Sequence, residues 1–299
     1  MGKFVKKIKN NIRLVVQFAF TAVTNGYLKG FSNGSIYTGK LKMFCVPGLN
    51  CYSCPGAIGS CPMGALQSTL GSRDYKFAFY VLGILMLFGA VGGRFICGFL
   101  CPFGLIQDLL YKIPFVKKLK NFPGNKYLKW LKYVILAVFV ILLPMFAVDI
   151  TGLGKPWFCE YICPSGTLLA GIPLVLMNES LRGAVGFLYA WKVVILVIII
   201  LLSVIFYRPF CKYLCPLGAF YGFFNSVSMY RFAVDEKKCT SCGACKNKCG
   251  MDIPVWKKPN SMDCIRCGDC IKICPEEAIS IVSLAKKNSE NNENCKIKK

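Results

Sequence analysis

Between Cys239 and Cys274 the chain repeats one cysteine pattern: Cys239-x2-Cys242-x2-Cys245-x3-Cys249, then Cys264-x2-Cys267-x2-Cys270-x3-Cys274-Pro275. Three closely spaced thiolates reach three irons of one cubane only if the backbone turns tightly. Gly243 and Gly268 permit such turns and leave amide N–H groups free to point at sulfur. In runs of this kind the fourth cysteine ligates the other cluster. The spacing therefore predicts two [4Fe–4S] clusters, one on Cys239, Cys242, Cys245 and Cys274 and the other on Cys264, Cys267, Cys270 and Cys249. Paired zinc knuckles or structural disulfides compete with this reading, and two complete four-cysteine runs disfavour both. Gly250 stands where proline usually follows the fourth cysteine, which leaves the ligands intact.

The rest of the chain narrows the chemistry by what it lacks. It has 19 cysteines and no histidine. That excludes bis-histidine haem, a Rieske centre, C-x-x-C-H haem attachment and histidine-based zinc or copper sites, so any redox centre rests mainly on sulfur. Hydrophobic residues make up 55% of the 299, above the ~45–50% usual for soluble domains. Mean hydropathy is +0.50, which marks a membrane protein. The formal charge of +23 comes from lysines and arginines that flank apolar runs. Basic residues beside membrane spans explain it more simply than nucleic-acid binding, which is not expected.

Four apolar stretches read as spans, near 14–28, 77–93, 133–148 and 188–207, the last extended past Val193 by a snorkelling Lys192. Each charge-free core falls short of the ~20-residue ideal and relies on flanking lysine and arginine side chains to reach the interface. The segment 165–178 is shorter and contains Pro173, so it reads as re-entrant or interfacial. Lys112, Lys117, Lys118, Lys120, Lys126, Lys129 and Lys132 lie between the second and third spans, against only Lys155 and Arg182 between the third and fourth. This bias puts both termini in the cytoplasm. The expected fold is an α-helical membrane domain over 1–227, an α+β domain with two clusters over 228–284, and a disordered polar tail over 285–299. No role is assigned to Cys295.

A second motif recurs beside the spans. Arg94-x2-Cys97-x3-Cys101-Pro-x-Gly104 follows the second, Cys159-x3-Cys163-Pro-x-Gly166 the third, and Arg208-x2-Cys211-x3-Cys215-Pro-x-Gly218 the fourth; a half-copy, Cys61-Pro-x-Gly64, precedes the second. Cysteines four apart share one face of a helical turn, and the proline is expected to end that turn. Two pairs supply one cluster's worth of thiolates. The topology puts Cys97, Cys101, Cys211 and Cys215 on the cytoplasmic face, where they are expected to share a third cluster; disulfides are disfavoured in that compartment. Cys45, Cys51, Cys54, Cys61, Cys159 and Cys163 fall on the opposite face. Three readings stand open for them. In one, Cys159 and Cys163 meet Cys61 and one other cysteine around a fourth cluster, with two cysteines left for a disulfide; in another, Cys45, Cys51, Cys54 and Cys61 ligate a cluster by themselves; in the last, the six form disulfides.

Repeated C-x3-C-P motifs on membrane spans followed by two four-cysteine runs resemble the NapH-type membrane polyferredoxin family. The resemblance covers about residues 10–284 and extends to its relatives, the membrane regulator of nitrous oxide reduction and an oxidase-assembly protein. It implies electron transfer between a cytoplasmic donor or the quinone pool and a membrane or extracytoplasmic partner, such as a flavoprotein or reductase. It implies no substrate-converting site in the chain itself. Asp108, Asp149 and Glu160 are the candidates for a quinone site. The alternative is an assembly or regulatory protein that senses redox state or reduces a metal for another membrane enzyme.

Overall fold

The computed structural model describes residues 12–72, 75–114, 118–119, 122, 124–147, 154–183 and 185–283. The N-terminal basic run, Lys117, Lys120, Asp149, Cys295 and the polar tail lie outside these residues. In chain order the main elements are α1 (Ile12–Thr24), α2 (Leu28–Asn33), α3 (Pro62–Ser72), α4 (Tyr75–Gly92), α5 (Phe95–Phe99) and α6 (Pro102–Tyr111). There follow α7 (Asn125–Phe146), α8 (Trp157–Tyr161), α9 (Pro164–Met177), α10 (Glu179–Gly183) and α11 (Phe187–Ile205). The C-terminal part holds α12 (Pro209–Tyr213), α13 (Pro216–Phe223), β1 (Tyr230–Val234), α14 (Ala244–Lys248), α15 (Asp269–Ile273) and β2 (Ile279–Ser283).

Of these, α7 and α11 are long and apolar enough to cross a bilayer. The other expected spans, α1 and α4, are apolar over a shorter stretch. The first apolar run does not continue to Leu28 as one helix. It stops at Thr24, where the Ile58 amide donates to the Thr24 carbonyl and the Tyr27 amide donates to Gly56. The loop before α3 thereby satisfies the carbonyls that a longer helix would have bonded internally. The segment expected to be re-entrant forms α9, which ends where Asn178 Nδ2 donates to the Gly34 carbonyl at 3.0 Å.

The turn that carries the first cysteine ends before each motif proline, as expected, but the proline also begins the next helix. In each C-P-x-G unit the cysteine lies just before a helix, and the proline opens α3, α6, α9 or α13. A proline lacks only an N–H that would be orphaned in the first turn anyway, and its fixed φ suits that position. The first cysteine of each pair lies inside the short preceding helix, α5, α8 or α12. Every C-x3-C-P unit is therefore a sharp helix–cysteine–helix corner. These corners meet in the middle of the molecule, where Cys61, Cys97, Cys101, Cys163, Cys211 and Cys215 share one buried core with Phe103, Phe210, Leu217 and Tyr221.

The C-terminal unit is built on an antiparallel pair, with Tyr230 opposite Ser283 and Val234 opposite Ile279. Its two cysteine loops match position for position. Ser241 and Arg266 both take φ near +54, and Gly243 and Gly268 take +77 and +81 as they enter α14 and α15. Asp263 anchors this unit to the helices: Lys132 binds its carboxylate, Lys129 lies at 3.3 Å and Arg94 at 3.5 Å. Burial would raise the Asp263 carboxyl, but Lys132 and Arg94 bring it down to about 2. Asn225 adds donors to the carbonyls of Ser261 at 2.8 Å and Cys264 at 2.9 Å. Two close approaches complete the seat. A Cβ on Gly98 would lie 2.5 Å from the Ile265 carbonyl oxygen, and one on Gly250 would lie 2.3 Å from the Tyr207 ring. The second explains why glycine replaces the usual proline after Cys249.

Gly250→Ala is therefore expected to cost about 1–3 kcal/mol, as overpacking does in a filled interior. Tyr207 has little room to yield, because Arg13 Nη1 donates to its hydroxyl at 3.0 Å and Tyr111 packs edge-on at 5.3 Å. Thermal unfolding in detergent checks the loss, and faster proteolysis between Ser226 and Tyr230 would locate it.

Candidate iron–sulfur sites

Around α14, one pocket is lined by Cys239, Cys242, Cys245 and Cys274 together with Trp256 and Pro275. A larger cavity of about 400 Å³ is lined by Cys249, Cys264, Cys267 and Cys270, with Tyr207 and Tyr111 from the helical part on its wall. The structure thus sorts these eight cysteines into the two groups expected from spacing, each borrowing its fourth member from the other run.

In the helical part, Cys97, Cys101, Cys211 and Cys215 converge. All four are almost inaccessible, and the charges of Cys211, Cys97 and Cys101 all act on Cys215. A second group comprises Cys51, Cys61, Cys159 and Cys163: a Cβ on Gly166 would lie 3.6 Å from Cys51 Sγ and 3.9 Å from Cys163 Sγ, and one on Gly64, three residues after Cys61, would lie 3.6 Å from Cys159 Sγ. The loop cysteine brought beside Cys163 is thus Cys51. Cys45 Sγ lies 3.5 Å from Ser60 Oγ, and Cys54, whose amide donates to the Cys51 carbonyl at 3.1 Å, has its Sγ 3.7 Å from Asn25 Oδ1. Every described cysteine is a free thiol, so none of the expected alternative disulfides is present among the described residues.

The corner geometry explains the composition of the motif. The amide of the motif glycine donates to the cysteine Sγ three residues back, at 3.4 Å for both Gly166 to Cys163 and Gly218 to Cys215. This is an N-cap with sulfur as acceptor, and the helix dipole favours negative charge at the same place. Burial pushes the Cys61 and Cys163 thiols up to about 12. A bare thiolate there would be costly, whereas a thiolate shared with cationic iron is not. Among the described residues no three such side chains close around a single ion.

The two R-x2-C-x3-C-P-x-G motifs brace one another. Arg94 Nη2 donates to the Cys211 carbonyl at 2.8 Å, and Arg208 Nη1 donates to the Cys97 carbonyl at 2.6 Å. Each guanidinium also lies over the other motif's glycine. A Cβ on Gly218 would come within 2.9 Å of Arg94, and one on Gly104 within 3.3 Å of Arg208. Arg208 accepts a φ of +47 to hold this position, a rare conformation for a side-chain-bearing residue. Its charge is met by Asp108, through Nε to Oδ1 at 2.7 Å and Nη2 to Oδ2 at 2.5 Å, and Arg13 adds a third contact at 2.8 Å. Burial would raise the Asp108 carboxyl, and the Arg208 and Arg13 charges hold it below its usual range. At the other group Lys192 Nζ plays the arginine's part, donating to the Cys159 carbonyl at 3.3 Å.

The groups are near neighbours. Arg94 bonds both the Cys211 carbonyl and the Met262 carbonyl, two residues before Cys264. On the other side, a Cβ on Gly48 would lie 3.1 Å from Cys101 Cα. The fully buried Tyr221 lies six residues after Cys215, and its hydroxyl donates to the Pro47 carbonyl at 3.1 Å, which ties one thiol group to the loop that carries Cys51.

A 4Fe–4S binding domain model matches residues 76–123, 136–175 and 189–231, each stretch holding part of these corners, and a second such model matches 258–280. The ferredoxin-type protein NapH of Haemophilus influenzae is 30% identical over 223 residues, which cover 70% of each chain. The chain belongs to the NapH-type polyferredoxin family. An uncharacterized protein of Methanocaldococcus jannaschii is 29% identical over 232 residues, covering 75% of this chain and 84% of that one. The methylamine utilization ferredoxin-type protein MauN of Methylorubrum extorquens is 30% identical over 191 residues, covering 63% and 59%. No solved structure matches the chain. With the family comes the coarse function: this NapH-type polyferredoxin binds iron–sulfur clusters and serves electron transfer.

Proposed function

We propose that this protein is a membrane electron conduit with four [4Fe–4S] sites, linking a cytoplasmic flavoprotein, reductase or quinone pool to a membrane or extracytoplasmic acceptor. The helices α1, α4, α7 and α11 are its spans, and both termini and the eight-cysteine unit face the cytoplasm. The ligands are Cys239, Cys242, Cys245 and Cys274; Cys264, Cys267, Cys270 and Cys249; Cys97, Cys101, Cys211 and Cys215; and Cys51, Cys61, Cys159 and Cys163.

The observation that carries this reading is the convergence of the C-x3-C-P corners on one core, with Cys97, Cys101, Cys211 and Cys215 buried there, Cys61 and Cys163 buried and Cys51 and Cys159 half-buried beside them, in contact with the Cys264 loop. Two faces of a ~30 Å hydrocarbon core would leave a long gap. The loop before α3 shortens that gap, because it runs inward to meet Cys101. Bound clusters supply one-electron transfer at these positions. The chain's own residues fix the spacing: Arg94 and Arg208 brace the corners, helix N-termini favour the negative sites, and burial excludes water. Asp108 is taken up by two arginines, which removes support for its role at a quinone, and Glu160 makes no contact that singles it out.

Anaerobically purified protein should hold about sixteen irons per chain with matching sulfide, four per cubane. Electron paramagnetic resonance during stepwise reduction should resolve signals beyond those of the eight-cysteine unit. A count near eight, with signals from that unit alone, would refute the conduit.

A further inference from the structure

Two buried glutamines occupy equivalent places in the two helical cysteine groups. Gln67 and Gln107 each stand six residues after a motif cysteine, Cys61 and Cys101, in the pattern C-P-x-G-x-x-Q. The other two C-P-x-G units have Leu169 and Tyr221 there, so each group contains one glutamine. Gln67 is 0% exposed and Gln107 is 1% exposed. Each reaches across to the first cysteine of a different motif: Gln67 Nε2 lies 3.4 Å from Cys159 Sγ, and Gln107 Nε2 lies 3.1 Å from Cys211 Sγ.

We propose that Gln67 and Gln107 are positioning residues that raise the reduction potentials of the two helical iron–sulfur sites by hydrogen-bonding a ligand sulfur in each. This rests on the reading of those thiol groups as cluster ligands. Reduction adds negative charge to the cluster and its sulfurs. A fixed N–H donor stabilises that charge more in the reduced state than in the oxidised state, and such hydrogen bonds are among the factors that set cluster potentials. Helix packing does not account for both amides. Gln67 has a further task, since its Oε1 accepts from the Phe158 amide at 2.9 Å. Gln107 Oε1 has no partner, so this amide is buried at a cost that its sulfur contact helps to offset. Both amides also donate to a carbonyl of their own helix, Gln67 to Met63 at 3.1 Å and Gln107 more weakly to Phe103 at 3.5 Å; the shorter sulfur contact and weaker backbone contact make Gln107 the cleaner test.

Gln107→Met keeps the length and volume of the side chain and removes the donor. The full-length variant, purified anaerobically, is compared with the parent by iron analysis and by redox titration followed by electron paramagnetic resonance. The expected result is unchanged iron and a fall in the midpoint of one helical signal alone. The shift should be about tenfold in the oxidised-to-reduced ratio at fixed potential, ~59 mV for a one-electron couple. Gln67→Met should lower the other helical signal. Full iron with an unmoved midpoint overturns the proposal, as does loss of about four irons from both Gln107→Met and Gln107→Leu, which would make the residue structural. A parent protein with only about eight irons fails differently, by removing the helical clusters themselves.

Discussion

Cys215→Ala is expected to remove about four irons per chain, and with them one paramagnetic signal, while the signals of the eight-cysteine unit remain. Cys215 is 5% exposed and caps α13, where the Gly218 amide is aimed at its sulfur. Alanine leaves three thiols, Cys97, Cys101 and Cys211, packed among Phe103, Phe210 and Leu217. It also removes the acceptor that caps α13. Because this group lies between the Cys264 loop and the Cys51 group, reduction of the latter through the eight-cysteine unit should stop as well. Iron analysis and stepwise reduction on the same sample measure both effects. Full iron in the variant would show that these corners do not bind a cluster through Cys215.

Asp108→Ala is expected to cost about 3–5 kcal/mol, because it leaves the Arg208 charge buried and uncompensated. Arg208 is fully buried, and the Asp108 side chain is 2% exposed, so solvent screens neither. The damage should reach beyond the ion pair, since Arg208 also holds the Cys97 carbonyl and packs over Gly104. Joint replacement, Asp108→Leu with Arg208→Met, should cost less than Asp108→Ala alone, as it leaves no lone charge, although the Cys97 carbonyl loses its donor. Thermal unfolding of the three proteins in one detergent decides the order. Equal losses in the single and double variants would mean that the pair acts through packing and not through charge.

Much of the chemistry was legible in the cysteine spacing. The eight cysteines could be divided into the two sets that line separate pockets because the pattern is local: three members of each set lie within one loop. The nearness of the Cys97 and Cys211 motifs was expected from their shared pattern, and the arginine contacts bring them together. The meaning of the motif proline was not legible. Local rules say that proline breaks a helix, and only the three-dimensional corner shows it opening the next one with cysteine as the cap. The glycine of C-P-x-G likewise had no reason until Arg94 and Arg208 were seen lying over Gly218 and Gly104.

Gln67 and Gln107 were visible as a shared C-P-x-G-x-x-Q spacing, but nothing in a single motif says that the amide serves a sulfur from another. The choice of Cys51 over Cys45 and Cys54 was also beyond spacing, since all three share one irregular loop whose path is set by its contacts with α1 and with Cys101. The sequence alone therefore determined the cofactor class, the absence of histidine chemistry and the local ligand runs, because these depend on residues close together along the chain. The tertiary structure decided which loop cysteine stands beside Cys163, the crossed arginine braces, the seat of the Cys264 loop and the close succession of thiol groups. Each of those depends on side chains brought together from helices far apart in sequence, where burial and charge compensation select the partner.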